Sequence, residues 1–242
     1  MKDVYKERNY SIVKSNTLIR NTRYDLSIVE QKIILRLIQM IQPNDIDFNI
    51  YKFNIKEFCQ LCNIHDHSGA NYVYIKNTLK NLHDKSFWVK QDNKEILCSW
   101  ISTAIIYDGS GIIEIELHKH LKPYLLELKK NFTEYSLGYI LSMKSKYSVR
   151  MYELLKSYEF KSEFTVNIDE LKQNLHIAKY NRFYDFKKRV LDISVIEVNK
   201  FTDILVEYTI NTDRRLPVSI TFNVRLKNLN EKVKMIKNKY QG

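Results

Sequence analysis

The first regular pattern along the chain is Val29, Ile33, Leu37 and Ile41, one apolar residue every four positions, which lines a single face of a helix. Ser27-Ile-Val-Glu30 ahead of it has the spacing of a capping box, and Pro43 behind it stops the helix. The period then changes to two in Phe48-Asn-Ile50-Tyr-Lys-Phe53, as in a strand with one buried face. A short helix is expected at residues 55–64, then a turn containing Gly69, then a longer helix carrying Tyr72, Ile75, Leu79 and Leu82 on one face. Two strands follow, Ile96 to Tyr107 and Ile112 to Leu117, across the turn Asp108-Gly-Ser-Gly111.

The second half repeats this grammar. Tyr147, Met151, Leu154 and Tyr158 form a helical stripe, Glu163-Phe-Thr-Val166 reads as a strand, and residues 168–177 read as a short helix. A further helix places Phe183, Phe186 and Val190 on one face. Two alternating runs, Ile204 to Ile210 and Val218 to Val224, flank the turn Thr212-Asp-Arg-Arg215. Direct comparison supports a duplication: Asn54-Ile-Lys-Glu-Phe-Cys-Gln-Leu-Cys-Asn-Ile64 and Asn167-Ile-Asp-Glu-Leu-Lys-Gln-Asn-Leu-His-Ile177 share five of eleven residues. Helix, strand, helix, helix and hairpin is the order of a winged helix. The expected fold is therefore α+β, two tandem winged-helix domains related by a pseudo-duplication. The junction is placed at Glu116 to Pro123, giving domains 1–120 and 121–242, the second with a basic tail over 226–242. The tail carries Leu226, Leu229, Val233, Ile236 and Tyr240 at helical spacing among lysines, and a helix docked on its own domain is the simple expectation.

Composition narrows the class. With 242 residues, 44% of them hydrophobic, and only 3 Pro and 5 Gly, the chain can bury two cores and is not a disordered polymer. No run approaches a membrane span and the start lacks an apolar signal core, so a cytoplasmic protein is expected, without membrane partners. Three cysteines without framework spacing fit a reducing compartment. The charge is uneven. Residues 1–118 hold 15 Lys and Arg against 14 Asp and Glu, net +1, whereas residues 119–242 hold 24 against 14, net +10. A positive field confined to one half calls for a polyanion docking there, and duplex DNA is the expected partner.

Several motifs invite other chemistry. Cys59, Cys62, His65 and His67 are zinc-type ligands within nine residues, but the repeat lays Cys62 over the core position Leu175 and Cys59 over Lys172. His65-Asp-His67 and His118-Lys-His120 resemble the His-apolar-His metal motif of rolling-circle nucleases, yet their middle residues are charged and no acidic third ligand stands beside them. No G-x4-G-K-[ST] loop exists for a nucleotide-driven motor. The expectation is a binder with no catalytic residues, no cofactor and no metal.

The DNA-facing residues follow from helical geometry. With Phe183, Phe186 and Val190 inward, Asn181, Tyr184, Asp185, Lys188 and Arg189 turn outward, flanked by Arg182 and Lys187. The second helix of such a motif enters the major groove, where Arg and Lys read guanine edges. The matching face of the first domain is Tyr74, Asn77, Lys80 and Asn81, polar but hardly charged. Arg214 and Arg215 sit at the tip of the second hairpin, suited to the backbone or minor groove. Lys144, Lys146 and Arg150 start the second domain's first helix, where backbone amides also favour phosphate.

Three blocks resemble a known family, the initiator replication proteins of iteron-bearing, theta-replicating plasmids. Asp25-Leu-Ser-Ile-Val-Glu-Gln-Lys32 is similar to its opening helix. Phe132-Thr-Glu-Tyr-Ser-Leu137, with Met143-Lys-Ser-Lys-Tyr-Ser-Val-Arg-Met-Tyr-Glu-Leu-Leu155, is similar to its most recognisable segment. Phe186-Lys-Lys-Arg-Val-Leu-Asp192, continuing to Asp203, resembles its recognition helix and the helix after it. The resemblance implies a second domain that reads half of a repeated origin site and a first domain that engages the other half and serves dimerisation. It further implies monomers on origin repeats, dimers repressing the protein's own gene at an inverted operator, and contact with a host helicase or initiator. Arg182, Lys187, Lys188 and Arg189 fall in the reading helix, and Lys144, Lys146 and Arg150 in the phosphate-facing helix start. A tandem winged-helix transcriptional repressor and a nicking enzyme of rolling-circle type are the alternatives.

Overall fold

The computed structural model describes residues 11–240 except positions 43, 63, 65–69 and 92. His65 and His67 therefore lie outside the described residues. The chain forms two compact units that divide between Leu141 and Ser142.

The first unit opens with β1 (Ser11–Ser15), α1 (Asn16–Asn21) and α2 (Ile28–Met40). β2 (Tyr51–Asn54), α3 (Ile55–Leu61) and α4 (Ala70–His83) follow. Then come β3 (Ser86–Gln91), β4 (Lys94–Ser99), β5 (Ile101–Ile106) and β6 (Ile112–Leu117). The unit closes with α5 (Lys122–Leu125), β7 (Phe132–Ser136) and α6 (Leu137–Leu141). The expected capping box is made at α2: Ser27 Oγ accepts from the Glu30 N–H, and the Glu30 carboxylate accepts from the Ser27 N–H at 2.6 Å. The helix packs Ile33, Leu37 and Ile38 into a core shared with Ile75, Leu79 and Leu82 of α4.

The second unit consists of α7 (Lys146–Ser157), β8 (Glu163–Asn167), α8 (Ile168–Asn174), a long helix α9, β9 (Ile204–Asp213), β10 (Leu216–Leu226) and α10 (Leu229–Tyr240). α9 runs without a break from Phe183–Phe186 through a π turn at Lys187–Leu191 into Asp192–Phe201, every junction residue keeping right-handed helical torsions. The main sheets of the two units share one topology, β2-β6-β5 in the first and β8-β10-β9 in the second, all antiparallel. In each, the strand before the short helix pairs with the last strand of the hairpin.

The repeat read from sequence holds at the level of single hydrogen bonds. Asn54 and Asn167 both cap their helix, accepting 2.8 Å bonds from the amides of Lys56 and Asp169 respectively. Beyond each helix end, the Ile64 amide donates to Cys59 C=O and the Ile177 amide to Lys172 C=O, both at 2.8 Å. Equivalent positions thus start and stop α3 and α8.

Four expectations are corrected. The boundary lies some twenty residues beyond 120/121, because β7 pairs with β1 along its whole length, Ser11 opposite Ser136 to Ser15 opposite Phe132, and holds the intervening chain in the first unit. The strand expected over 96–107 is two, broken at Trp100, whose indole is buried between Tyr24 and Phe87. Cys59 is as buried as Cys62, so both thiols face the core, and all three cysteines are buried thiols. The tail forms its helix, but with the opposite face inward: Met235 is buried, whereas Leu229, Val233 and Ile236 are exposed. Lys227, just ahead of it, is also buried; its ammonium donates to the carbonyls of Asn199 and Thr202 and so closes the C-terminal end of α9.

Candidate nucleic-acid interface

The second unit alone carries twenty Lys and Arg against twelve Asp and Glu between residues 142 and 242, net +8. Its outward cations cluster on two elements. On α9, Phe186, Val190, Leu191, Ser194 and Val198 are fully buried against α7 and the sheet. That leaves Tyr184, Lys188 and Arg189 exposed, with Arg182 exposed at the helix's N-cap and Tyr184 at 67%. Lys188 Nζ lies 6.0 Å from the centre of the Tyr184 ring, and the Arg189 guanidinium 5.9 Å from that of Tyr180. Both rings orient a cation without neutralising it. A helix with an apolar back and three outward side chains of this kind fits major-groove reading.

The other cationic element is the β9–β10 hairpin. Asp213 pairs with Leu216, so Arg214 and Arg215 form a two-residue turn, with φ of 46° and 70°. Both lie in the left-handed region that a type I′ turn demands and that normally selects Asn-Gly. Side chains there cost roughly 1–2 kcal/mol each. Two arginines are poor turn formers, and their placement puts two charges at the tip of the wing.

At the start of α7 the sequence expectation changes. Lys144 is exposed and Lys146 half-buried, its ammonium 5.1 Å from the Tyr147 ring centre. Just ahead of the helix, Glu197 of α9 accepts from the Lys144 N–H at 3.0 Å and from the Ser145 N–H at 3.2 Å, which sets a carboxylate beside this helix start. Lys144 and Lys146 are the cations at this helix start that remain at least partly exposed. Arg150 is not on the surface at all. It is 5% exposed, bonded at 3.2 Å to Glu153, itself 1% exposed, and it reaches Asn174 C=O. Arg150 is withdrawn as a phosphate ligand because its charge is consumed inside the unit.

In the first unit, α4 presents Tyr74, Asn77 and Lys80 outward as expected. Lys80 is bonded to Asp84 at 2.9 Å, one turn on, which leaves this face nearly neutral. Tyr72 of α4 donates to Asp108 at 3.1 Å, tying the helix to its own wing turn, where Gly109 and Gly111 take positive φ. The two units thus share a scaffold but not a charge.

With this geometry in place, comparison with known proteins identifies the lineage. Residues 11–156 match the model of the first winged-helix domain (WH1) of initiator replication proteins, and residues 167–224 match that of the second (WH2). The chain belongs to the initiator replication protein family. It is 28% identical over 196 residues to a replication initiation protein of Escherichia coli, an alignment covering 73% of this chain and 57% of that one. To the PI protein of Escherichia coli it is 29% identical over 144 residues, covering 52% and 47%. The chain thus spans about half the length of the curated relatives it matches. Among solved structures, it resembles the Pi initiator protein crystallised with iteron DNA, with a TM-score of 0.73 and 19% identity over 91% of this chain and 99% of that one. The fold is therefore two winged-helix domains, as expected from sequence. Among the described residues no helix is long and apolar enough to cross a membrane, and no group of three or more His, Cys, Asp or Glu could hold a metal ion.

Helix α9 also holds what helical periodicity alone could not reveal. Lys187, expected on the flank, donates to both carboxylate oxygens of Asp192 at 2.9 Å, and Tyr208 of β9 donates to one of them. These bonds raise the Lys187 pKa above the ordinary lysine value, those to Asp192 first and that with Tyr208 second, against a smaller loss from burial. For Asp192, burial pushes the carboxyl upward, and the bonds from Tyr208 and Lys187 together outweigh it, so its pKa is lowered. Lys187 is thus paired within its own helix, about one-third exposed. A helix counted at 100° per residue has no i, i+5 neighbours; only the π turn creates this pair.

Proposed function

We propose that this chain is a plasmid replication initiator that binds repeated origin sequences (iterons) in a sequence-specific manner through its second domain. The observation that carries the reading is the outward set Tyr184, Lys188 and Arg189 on α9, beside an Arg214-Arg215 wing tip, in a unit of net +8. Membership of the initiator family supports it, as does the likeness to a Pi initiator protein in complex with iteron DNA. The first domain, with a nearly neutral α4, contributes backbone contact and dimerisation. Monomers occupy the origin repeats; dimers occupy an inverted operator and repress the protein's own gene. Host helicase and initiator are recruited to the bound array. The protein works in the cytoplasm by binding alone, as no step of this scheme calls for a catalytic centre or a metal.

Footprinting across the DNA that flanks the gene tests this. The expected result is a tandem array of protected segments, each about two helical turns long, two half-sites being read one turn apart. A single protected operator with no array would favour a plain repressor. Metal-dependent nicking of supercoiled DNA by the purified protein would favour the nuclease.

A further inference from the structure

An acidic side chain in the middle of a DNA-reading helix works against binding, because it adds a negative charge where phosphates approach. Asp192 stands there nonetheless, at the first residue after the π turn. Its amide makes the wide-turn bond to Lys187 C=O, five residues back. Its carboxylate takes both bonds from the Lys187 ammonium and a third from Tyr208 on the wing strand. The Lys187 ammonium also lies 5.7 Å from the centre of the Tyr208 ring, and that ring packs 6.2 Å from Phe222 in the core of the sheet. One carboxylate therefore joins the two ends of the π turn to each other and joins the turn to the wing.

The π turn itself carries two residues of the outward face, Lys188 and Arg189. Val190 and Leu191, the last two residues of the π turn, are both fully buried. With the turn in place, Tyr184, Lys188 and Arg189 are exposed, while the helix beyond keeps Ser194 and Val198 in the core. A π turn holds one residue more than the α-helix it interrupts and is rare because its packing is poorer. Something has to hold it. The Lys187–Asp192 pair is about one-third exposed at each partner, and an ion pair of that exposure adds little to overall stability. Its effect lies in position rather than in overall stability.

We infer that Asp192, with Lys187 and Tyr208, is a positioning lock that fixes the π turn in α9 and thereby aims Lys188 and Arg189 at the base edges. Asp192 itself does not touch DNA. The inference rests on the proposed reading of DNA by α9 and names a specificity determinant within it.

The test measures affinity for the footprinted site and for a scrambled duplex of equal length in four variants: Asp192→Asn, Tyr208→Phe, the two combined, and Arg189→Ala. Thermal melting first shows that each is folded; Tyr208→Phe keeps the ring in the core and removes only the hydroxyl. Asp192→Asn is expected to lower the ratio of specific to scrambled affinity about tenfold, as much as one good base-edge interaction contributes to discrimination. Its affinity for scrambled DNA should be unchanged or higher, since a negative charge has gone. Tyr208→Phe should move the ratio the same way by a smaller factor, and the combined variant should lose no more than Asp192→Asn alone, as expected of groups in one network. A merely structural role would lower both affinities together. If Asp192→Asn and Tyr208→Phe keep the wild-type ratio while Arg189→Ala lowers it, the lock is wrong and the reading stands. If Arg189→Ala also keeps the ratio, α9 is not the reader and the lock falls with it.

Discussion

Between 50 and 200 mM salt, affinity for the duplex site is expected to fall by a factor on the order of a thousand or more. Each phosphate neutralised by Lys or Arg releases condensed counterions, giving a log–log slope near −0.9 per phosphate. Contact with roughly 6–10 phosphates then gives a slope of about −5 to −9. The second unit supplies Lys144, Arg182, Lys188, Arg189, Arg214 and Arg215 as exposed cations. Arg150, Lys187 and Lys227 hold internal partners and add little to the slope. A titration that responds to salt by less than about tenfold over this range would leave the basic field without its partner.

The second large effect concerns stability. Replacing Arg150 by alanine should cost on the order of 3–5 kcal/mol, because it takes the arginine away from the buried Glu153 carboxylate. For a unit of about 100 residues that corresponds to a fall in Tm of more than about 10 °C. Replacing both partners together, as Arg150→Met with Glu153→Leu, should recover much of the loss, since the penalty belongs to the buried charge that stays behind. Lys144→Ala, at an exposed position, should change stability by less than about 0.5 kcal/mol. Melting curves of the four proteins decide it. If Arg150→Ala melts like the wild type and instead lowers the salt slope by about one, Arg150 faces phosphate after all.

The contrast between Arg150 and Lys188 shows how far the sequence can be read. Periodicity places Ile33, Leu37, Ile75, Leu79, Phe186 and Val190 in the core, and all are buried. The eleven-residue repeat sets Asn54 and Asn167 at matching positions, and both prove to be helix caps, because a cap needs one residue type at one place. The pattern fails where a polar side chain is buried or an apolar one is exposed. β1 escapes it because Lys14, an inward position, is 1% exposed with its ammonium over the Trp100 ring. β3 escapes it because Trp88, on its outward face, is as apolar as Phe87 and Val89 on the inward one; Trp88 faces Leu97 across the hairpin, and both are exposed. The tail stripe misleads for the same reason, Leu229, Val233 and Ile236 being apolar and outward.

The candidate site is legible to the same extent. Tyr184, Lys188, Arg189 and the Arg214-Arg215 tip follow from period and turn spacing, and the structure puts them on the surface. Arg150 and Lys187 drop out of it because their charges meet carboxylates, Glu153 one turn on, which the fold buries together with Arg150, and Asp192 across a π turn. A spacing of Lys187 to Asp192, five residues, gives no signal in a helix counted at 3.6 per turn. Glu197 is likewise invisible as the acceptor that occupies the amides of Lys144 and Ser145, since fifty residues separate the groups and nothing local pairs them.

In the proposed mode of binding, α9 of the second domain reads base edges while the start of α7 only holds the backbone. Binding of Arg189→Ala and Lys144→Ala to the footprinted site and to scrambled DNA tests it directly. Removing a base-reading side chain costs about 1–3 kcal/mol at one position of the site, whereas removing a phosphate-binding one weakens all sequences alike and lowers the salt slope by about one. Arg189→Ala should therefore keep nearly all its affinity for scrambled DNA while its preference for the true site falls about tenfold or more. Lys144→Ala should lose affinity for both duplexes by the same factor. Equal losses on both duplexes in both variants would contradict the account, and recognition would then have to lie in the first domain, around Tyr74 and Asn77.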